Sequence, residues 1–483
     1  MIRFLNVYTI SGFAALGGVL LGLDISSVSG ILGTDQYKNY YGNPLGMRQG
    51  GITSAMAAGS ILGALSSSFL GDKLSRKVAI QCGMIFWCIG AAVQSTSNGI
   101  EMLAVGRAIA GICVGLTSSL VPIYQSEIAP RRFRGRIVAL QQLAITSGIL
   151  IQYLVEYGCS FLDSEFSLSQ PLSCLSASSG SPARRGGSRA MIEGDINDPL
   201  VLAEYKEIED QIHLERCEGS NSLQELFSKK MRSRVFLSMS IQVWSQLCGA
   251  NVINYYIVYV LKSGGVANSM LLGSIPYIIE MLMTIPCIVW TDQWGRRPSL
   301  LIGSIVMGFW LYVVGGLLMQ YGEPNPVRNQ PYTWILVDHP AATRAIQSCC
   351  YLFIGAFGAT WGPVGWMYPP EIVPIRIRAK SVSLATACNW ATNLVLGISV
   401  PPLLRSISWR MFFIFGSFNI MAFIHVLFAA PETKQRTLEE MDEIFEHGGP
   451  LWKSFLNKGD TNILDKLADD IEMGILRIHR PIR

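Results

Sequence analysis

Asp72-Lys73-Leu74-Ser75-Arg76-Lys77 and Asp292-Gln293-Trp294-Gly295-Arg296-Arg297 are two versions of one polar motif, each wedged between long apolar runs. A second motif follows each of them, in the same order. It reads Glu127-Ile128-Ala129-Pro130-Arg131-Arg132-Phe133-Arg134-Gly135-Arg136, and then Glu371-Ile372-Val373-Pro374-Ile375-Arg376-Ile377-Arg378-Ala379-Lys380. An internal repeat whose units are bundles of membrane spans is the sequence mark of a secondary transporter, with the substrate held near mid-membrane where the halves meet.

Composition agrees with that reading. Hydrophobic residues make up 50% of the 483, mean hydropathy is +0.35 and only 15% are charged, far below a soluble domain. The apolar residues come in blocks of about 20, the length a helix needs to cross the hydrocarbon layer. The fold class is therefore all-α, a polytopic membrane protein of two pseudo-repeated halves. A net charge of +4, clustered in loops, does not suggest nucleic acid. The eleven cysteines have no zinc-like spacing, and Cys88, Cys113, Cys349, Cys350 and Cys388 lie inside apolar runs, as small reduced core residues do. The first apolar run is too long for a signal peptide, contains Asp24 and has no cleavage pattern after it, so it reads as a first span. No metal constellation and no nucleophile stand out among the five scattered histidines, so an enzyme is not expected.

Spans are expected at about 5–31, 50–70, 78–98, 101–122 and 137–157, then at about 235–261, 269–291, 298–320, 345–367, 381–404 and 410–429. The positive-inside rule puts Lys73/Arg76/Lys77, Arg131 to Arg136, Arg296/Arg297 and Arg376/Arg378/Lys380 on the cytoplasmic face. The domains are then a transmembrane half at 1–157, a Ser/Arg/Gly-rich segment at 158–197, a cytoplasmic helical insert at 198–234, a second half at 235–430 and a cytoplasmic tail at 431–483. Leu202, Tyr205, Ile208 and Ile212 give the insert helical spacing, and a second acidic amphipathic helix is expected at 437–447. Eleven spans do not close the topology. Five carry the chain outside, yet the next segment, with Arg184-Arg185-Gly186-Gly187-Ser188-Arg189, is basic and belongs inside.

Three stretches resemble one family. Pro122-Ile123-Tyr124-Gln125-Ser126-Glu127 with Arg134-Gly135, the Asp292 to Arg297 motif and Pro431-Glu432-Thr433-Lys434 are similar to the sugar-porter branch of the major facilitator superfamily. Trp244-Ser245-Gln246-Leu247-Cys248-Gly249-Ala250-Asn251 through Tyr255-Tyr256 resembles its fungal hexose (high-affinity glucose) transporter form. The resemblance covers residues 10–157 and 195–447. It implies the major facilitator fold of two six-helix halves, here with the first reduced to five. Neither the family's sixth helix nor its Pro-Glu-Ser-Pro-Arg-like signature occurs between Gly158 and Gly194, and the pattern resumes at Asp195. Such a loss and recovery reads as a shifted frame or a mis-drawn exon, which the transcript across these codons tests.

The repeated motifs read as a cytoplasmic gate. Carboxylates and guanidinium groups at helix ends can interlock when the site opens outward and separate when it opens inward, and the planar Arg fork suits such pairs. The expected network is Asp72, Arg76, Lys77, Glu127, Arg134, Asp292, Arg296, Arg297, Glu371 and Arg378. These charges could instead only set topology, although topogenesis has little use for Glu127 and Glu371. Asp24 inside the first span must be paired or protonated, and Arg107 in the fourth is the obvious partner. The resemblance implies proton coupling for this pair; the alternative is an Asp snorkelling to water.

For a hexose, amides suit the hydroxyl edges and indoles the C–H-rich ring faces. Gln142, Gln246, Asn251, Trp366, Asn389, Trp390 and Asn393 lie inside spans and, by resemblance, match the family's sugar-binding positions. Buried amides can also knit helices together. Gly362-Pro363-x-Gly365 predicts a broken helix beside Trp366. The resemblance thus implies a monomeric plasma-membrane carrier of a monosaccharide such as glucose, using the proton gradient and no cofactor, with the sugar and the lipid bilayer as its partners. Passive sugar uniport, a polyol substrate, a transport-incompetent sensor and a defective copy stay open, the short tail after Arg436 arguing against a sensor.

Overall fold

The computed structural model describes residues 7–29, 40–42, 47–129, 134–159, 223–229, 231–254, 272–324, 334–336 and 339–434, with Met441 and Phe445. The helices of the first half are α1 (Val7–Ser29), α2 (Met47–Leu74), α3 (Arg76–Ser95), α4 (Ile100–Ile128) and α5 (Arg134–Cys159). The second half holds α6 (Arg232–Leu247), α7 (Ile275–Trp294), α8 (Arg296–Tyr321), α9 (Pro340–Ala359), α10 (Trp361–Ile372), α11 (Ile375–Ser406) and α12 (Arg410–Ala429). A one-turn helix, Leu223–Leu226, precedes α6, and a two-residue strand pair joins Glu323–Pro324 to Trp334–Ile335. Since α9 and α10 are two pieces of one span, the described residues hold five spans before residue 160 and six after residue 231.

Most of the 158–197 segment, residues 198–222 of the insert and nearly all of the 437–447 stretch lie outside the described residues, as do the side chains of Asp72 and Lys77. Seven described helices (α2, α3, α4, α5, α7, α8 and α12) are long and apolar enough to cross a membrane. The other described spans are too short by themselves, as α6 with 16 residues and α10 with 12 are, or less apolar; among them, α6, α10 and α11 carry Gln242, Gln246, Asn389 and Asn393 or the Gly/Pro motif.

Within a half, small residues replace hydrophobic contrast as the packing device. Helices α2 and α4 approach so closely that a methyl at Gly59 or Gly63 would overlap the carbonyls of Ala108 or Ile112, and one at Gly111 or Gly115 those of Met56 or Ser60. Two interlocked Gly-x-x-x-Gly pairs thus join these helices. Between halves, α2 lies along α11 and α5 along α7. Contacts occur at both ends of each seam. Gly50 sits against Gly397 and Ile398, while Ser383 Oγ donates to the Ala64 carbonyl further along. The Tyr153 and Tyr277 rings meet at 5.0 Å at one end of α5–α7, and Arg136 reaches Asp292 at the other. The halves are therefore closed on each other towards both membrane faces along these seams.

Two spans of the second half are interrupted. The expected continuous span 235–261 turns at Gly249, whose φ of +96° is open to glycine, before helix resumes at 250–254. The other break falls at Thr360, two residues before the Gly-Pro-x-Gly motif, with φ −133° and ψ −86°. Pro363, lacking an N–H, cannot bond back across the break. Thr360 Oγ1 donates to the Ala356 carbonyl at 2.6 Å, and buried Trp361 donates to the Leu300 carbonyl and Ser304 Oγ, both at 3.0 Å.

Candidate functional site

The amides singled out in the sequence converge in the second half. Gln246 Nε2 donates to Asn389 Oδ1 at 2.8 Å, while its Oε1 accepts from Asn251 Nδ2 at 2.6 Å and Asn393 Nδ2 at 3.1 Å. Spacing explains the meeting. Asn389 and Asn393 stand one turn apart on α11, and the turn at Gly249 folds Asn251 back towards Gln246. Asn389 Nδ2 also donates to Gln242 Oε1 at 2.6 Å, and Gln242 Nε2 to the Gly365 carbonyl at 3.0 Å. That carbonyl is available because its helical partner would be Pro369, which has no N–H.

The first half contributes from α4 and α5. Trp390, 2% exposed, donates through Nε1 to Ser118 Oγ on α4 at 3.0 Å, so one hydrogen bond crosses between the halves in the middle of the bundle. Gln142 is buried on α5 and points at α10, since a Cβ on Gly362 would stand 3.2 Å from its Nε2. Trp366 follows Gly365 in α10 and is half-buried. Residues whose role the sequence reading missed are Gln242 and Ser118; for Gln242, a glutamine one turn before Gln246 was the available signal.

Asp24 is fully buried in α1 and Arg107 nearly so in α4. Arg107 Nη1 donates to Ser27 Oγ at 2.8 Å and Nη2 to the main-chain oxygen of Asp24 at 3.3 Å; Ser27 Oγ also donates to that oxygen, at 2.8 Å. The expected pair is thus brought together through Ser27 and the Asp24 backbone.

At the end of the bundle that carries the repeated charged motifs, Arg296 clamps Glu371 with Nη2–Oε1 2.8 Å and Nε–Oε2 3.1 Å, and reaches Asp292 Oδ1 at 3.1 Å. Arg76 Nη2 meets Glu127 Oε1 at 3.3 Å in the first half. Between the halves, Arg136, which follows the motif's Arg134 by two positions, reaches Asp292 at 3.6 Å. Gly135 makes this possible, because a Cβ there would collide with Asp292 Oδ1 and Arg296 Nη2. Arg378 Nε donates to the Val373 carbonyl at 3.3 Å. Glu432 of the Pro-Glu-Thr-Lys stretch closes the network by capping α8: Arg296 N and Arg297 N donate to its two oxygens at 2.9 and 3.1 Å. Thr433 Oγ1 adds a 2.6 Å bond to Glu371, and Arg297 Nη2 a 2.8 Å bond to the Leu427 carbonyl.

The family model described as "Sugar (and other) transporter" matches residues 10–445. The chain belongs to that family. Among its relatives, "MFS glucose transporter mfs1" of Aspergillus flavus is 46% identical, covering 96% of this chain and 94% of the relative. The "High-affinity glucose transporter" of Kluyveromyces lactis is 35% identical over 93% and 87%, and "High glucose sensor RGT2" of Saccharomyces cerevisiae 30% identical over 90% and 60%. In fold, the chain is similar to the proton:xylose symporter XylE bound to 6-bromo-6-deoxy-D-glucose, with TM-score 0.66 and 22% identity over 91% of this chain and 99% of that one. A double-tryptophan mutant of XylE gives 0.74 at the same identity and coverage. This is a multi-pass integral membrane protein from a family of transporters, not of enzymes.

Proposed function

We propose that the chain is a monosaccharide carrier, with a hexose such as glucose as substrate, working by alternating access and coupled to protons. The observation that carries this is the amide cluster of Gln242, Gln246, Asn251, Asn389 and Asn393. Each amide is satisfied by another, so hydroxyls of an entering sugar exchange amide–amide bonds for amide–hydroxyl bonds at little net cost. Trp390 and Trp366 supply flat apolar surface beside them. The names of the relatives in Aspergillus flavus and Kluyveromyces lactis support glucose as the sugar. Buried Asp24 beside Arg107 supports proton coupling, with the carboxyl taking a proton as the alternative to staying ionised at membrane depth. The plasma membrane as location and a monomer as working unit belong to the same reading.

A second reading, a copy that binds sugar but does not carry it, is favoured by a difference between the halves. Motif order pairs α3 with α8. In the second half α12 packs along α8 and Glu432 behind it caps that helix. Among the described residues, α3 packs along its sequence neighbours α4 and α2, and no later helix packs along it as α12 does along α8. The Aspergillus flavus relative is aligned over 500 positions, some tens more than the residues of this chain that take part.

Uptake of labelled glucose in a transport-deficient yeast strain, with a sixth span restored between Gly158 and Asp195, tests the main reading. Uptake that collapses with a proton uncoupler is expected. Uptake indifferent to the uncoupler would mean passive uniport, and none at all would remove the carrier reading.

A further inference from the structure

Glu280 is a carboxylate in the second half that the gate and the sugar site do not use. It lies five residues into α7, about 7.5 Å along the helix from Ile275 at 1.5 Å per residue, and is 2% exposed. Its side-chain hydrogen bond comes from a neutral donor, Asn254 Nδ2, at 3.3 Å from Oε2. Asn254 is itself held, because its carbonyl accepts from Tyr277 Oη at 2.7 Å. Room for Glu280 is built into the next helix. A Cβ at Gly358 of α9 would stand 2.8 Å from the Glu280 carbonyl oxygen and 3.3 Å from its Cγ.

The surroundings decide its charge state. Titratable groups nearby are Tyr277 on its own helix, whose hydroxyl meets the Asn254 carbonyl, Cys248 at the end of α6, and Tyr153 on α5, which faces Tyr277; α5 and α9, which also pack along α7, carry Glu156, Cys350 and Tyr351. Helices α8 and α10 bring charge only to the far end of α7, as Arg296 and Glu371 around Asp292. Among the described residues none of the groups around Glu280 is a cation. An ionised carboxylate at such depth costs a few kcal/mol, which one neutral amide does not offset.

We propose that Glu280 is a second proton-binding site, on the opposite half from Asp24, whose protonation is linked to sugar occupancy through the turn that carries Asn251 and Asn254. In the closed state Glu280 is the neutral acid. When the α5–α7 seam at Tyr153 and Tyr277 opens, water reaches the carboxyl, its proton passes to that water, and the carboxylate is hydrated. The linkage runs through three residues of helix. Asn251 donates to Gln246 in the sugar cluster, and Asn254, nearly one turn on, donates to Glu280. A sugar that fixes Asn251 fixes the Asn254 donor against the carboxyl.

This rests on the sugar reading above, and the test separates the two. Glucose affinity of the purified chain with its sixth span restored, in lipid discs, is measured against pH by calorimetry, with the carboxylic-acid C=O band followed by infrared spectroscopy. Glu280→Gln is expected to remove one infrared acid band and to lower the steepness of affinity against pH by one proton, about tenfold per pH unit. Asn254→Leu, which keeps the carboxyl and removes its donor, should shift that band and abolish its response to glucose; it also serves if Glu280→Gln does not fold. Glucose binding with an unchanged band and unchanged pH steepness in the variants overturns the proposal alone. No glucose binding by the wild type overturns the sugar reading on which it rests.

Discussion

Two residues that open the helices after the repeated motif differ in a way that stability can read. Gly295 caps α8 with φ +89° and ψ 158°, and Ser75 caps α3 with φ +75° and ψ 153°, almost the same backbone. For glycine this region is ordinary; for serine it is strained by about 1–3 kcal/mol. Ser75→Gly should therefore raise Tm in a detergent melt, by about 1 kcal/mol in stability. Gly295→Ala should lower it by more, since its Cβ would also stand 2.7 Å from Glu432 Oε2 and disturb the carboxylate that caps α8. Equal melts for both variants and the wild type would show that the caps are relaxed. At the buried acid of α1, Asp24→Asn should abolish uphill sugar accumulation and leave sugar exchange, because an amide has no proton to release. Accumulation at the wild-type level in a restored carrier would remove Asp24 from coupling.

Interrupted helices make the site at the scale of elements. Pro369 frees the Gly365 carbonyl, Gln242 takes it, and the other end of Gln242 holds Asn389. Gln242→Ala therefore loses a helix-to-helix tie as well as a polar lining, while Gln246→Ala loses the hub of the cluster. Each should weaken glucose binding by about 1–3 kcal/mol in calorimetry, with protein level little changed. Trp366→Ala should fall in the same range through the lost ring face. Unchanged affinity in all three would reassign these side chains to helix packing. Much of this was legible beforehand. Gln246, Asn251, Asn389 and Asn393 stand out because amides are rare in apolar runs, and their meeting follows from helical spacing. Of the missed partners, Ser118 lacked that contrast as a small residue among others, while Gln242, one turn before Gln246, had it and was passed over.

Closure of both seams and the count of spans belong to the whole molecule. With α2 on α11 and α5 on α7 at both ends, opening either face must break one set of contacts and keep the other. The literal 483-residue chain has to cross from α5 to α6 without an apolar helix in between. Either the second half inverts, placing Arg296, Arg297, Arg376 and Arg378 against the positive-inside rule, or irregular chain crosses lipid at several kcal/mol per unpaired backbone group. Little or no glucose uptake is therefore expected from the literal chain. Strong uptake is expected once a helix of about 20 residues and its Pro-Glu-Ser-Pro-Arg-like loop are restored. Equal uptake by the two chains in the same yeast strain would refute the need for the sixth span.

Apolar block length and the repeated charged motifs determined, without coordinates, that this is a helical membrane protein of two related halves, because hydrocarbon thickness and backbone hydrogen bonding leave few alternatives. The same sequence named Asp24, Arg107 and the amides, since polar groups in lipid are costly enough to be conspicuous. Tertiary structure alone decided their partners. That Arg136 meets Asp292, that Glu432 caps a helix begun 136 positions earlier at Arg296, and that Asn254 faces Glu280 all depend on how helices distant in sequence are rotated against each other. Small residues set that rotation by letting backbones touch, and hydropathy along the chain is blind to which pairs of glycines will meet.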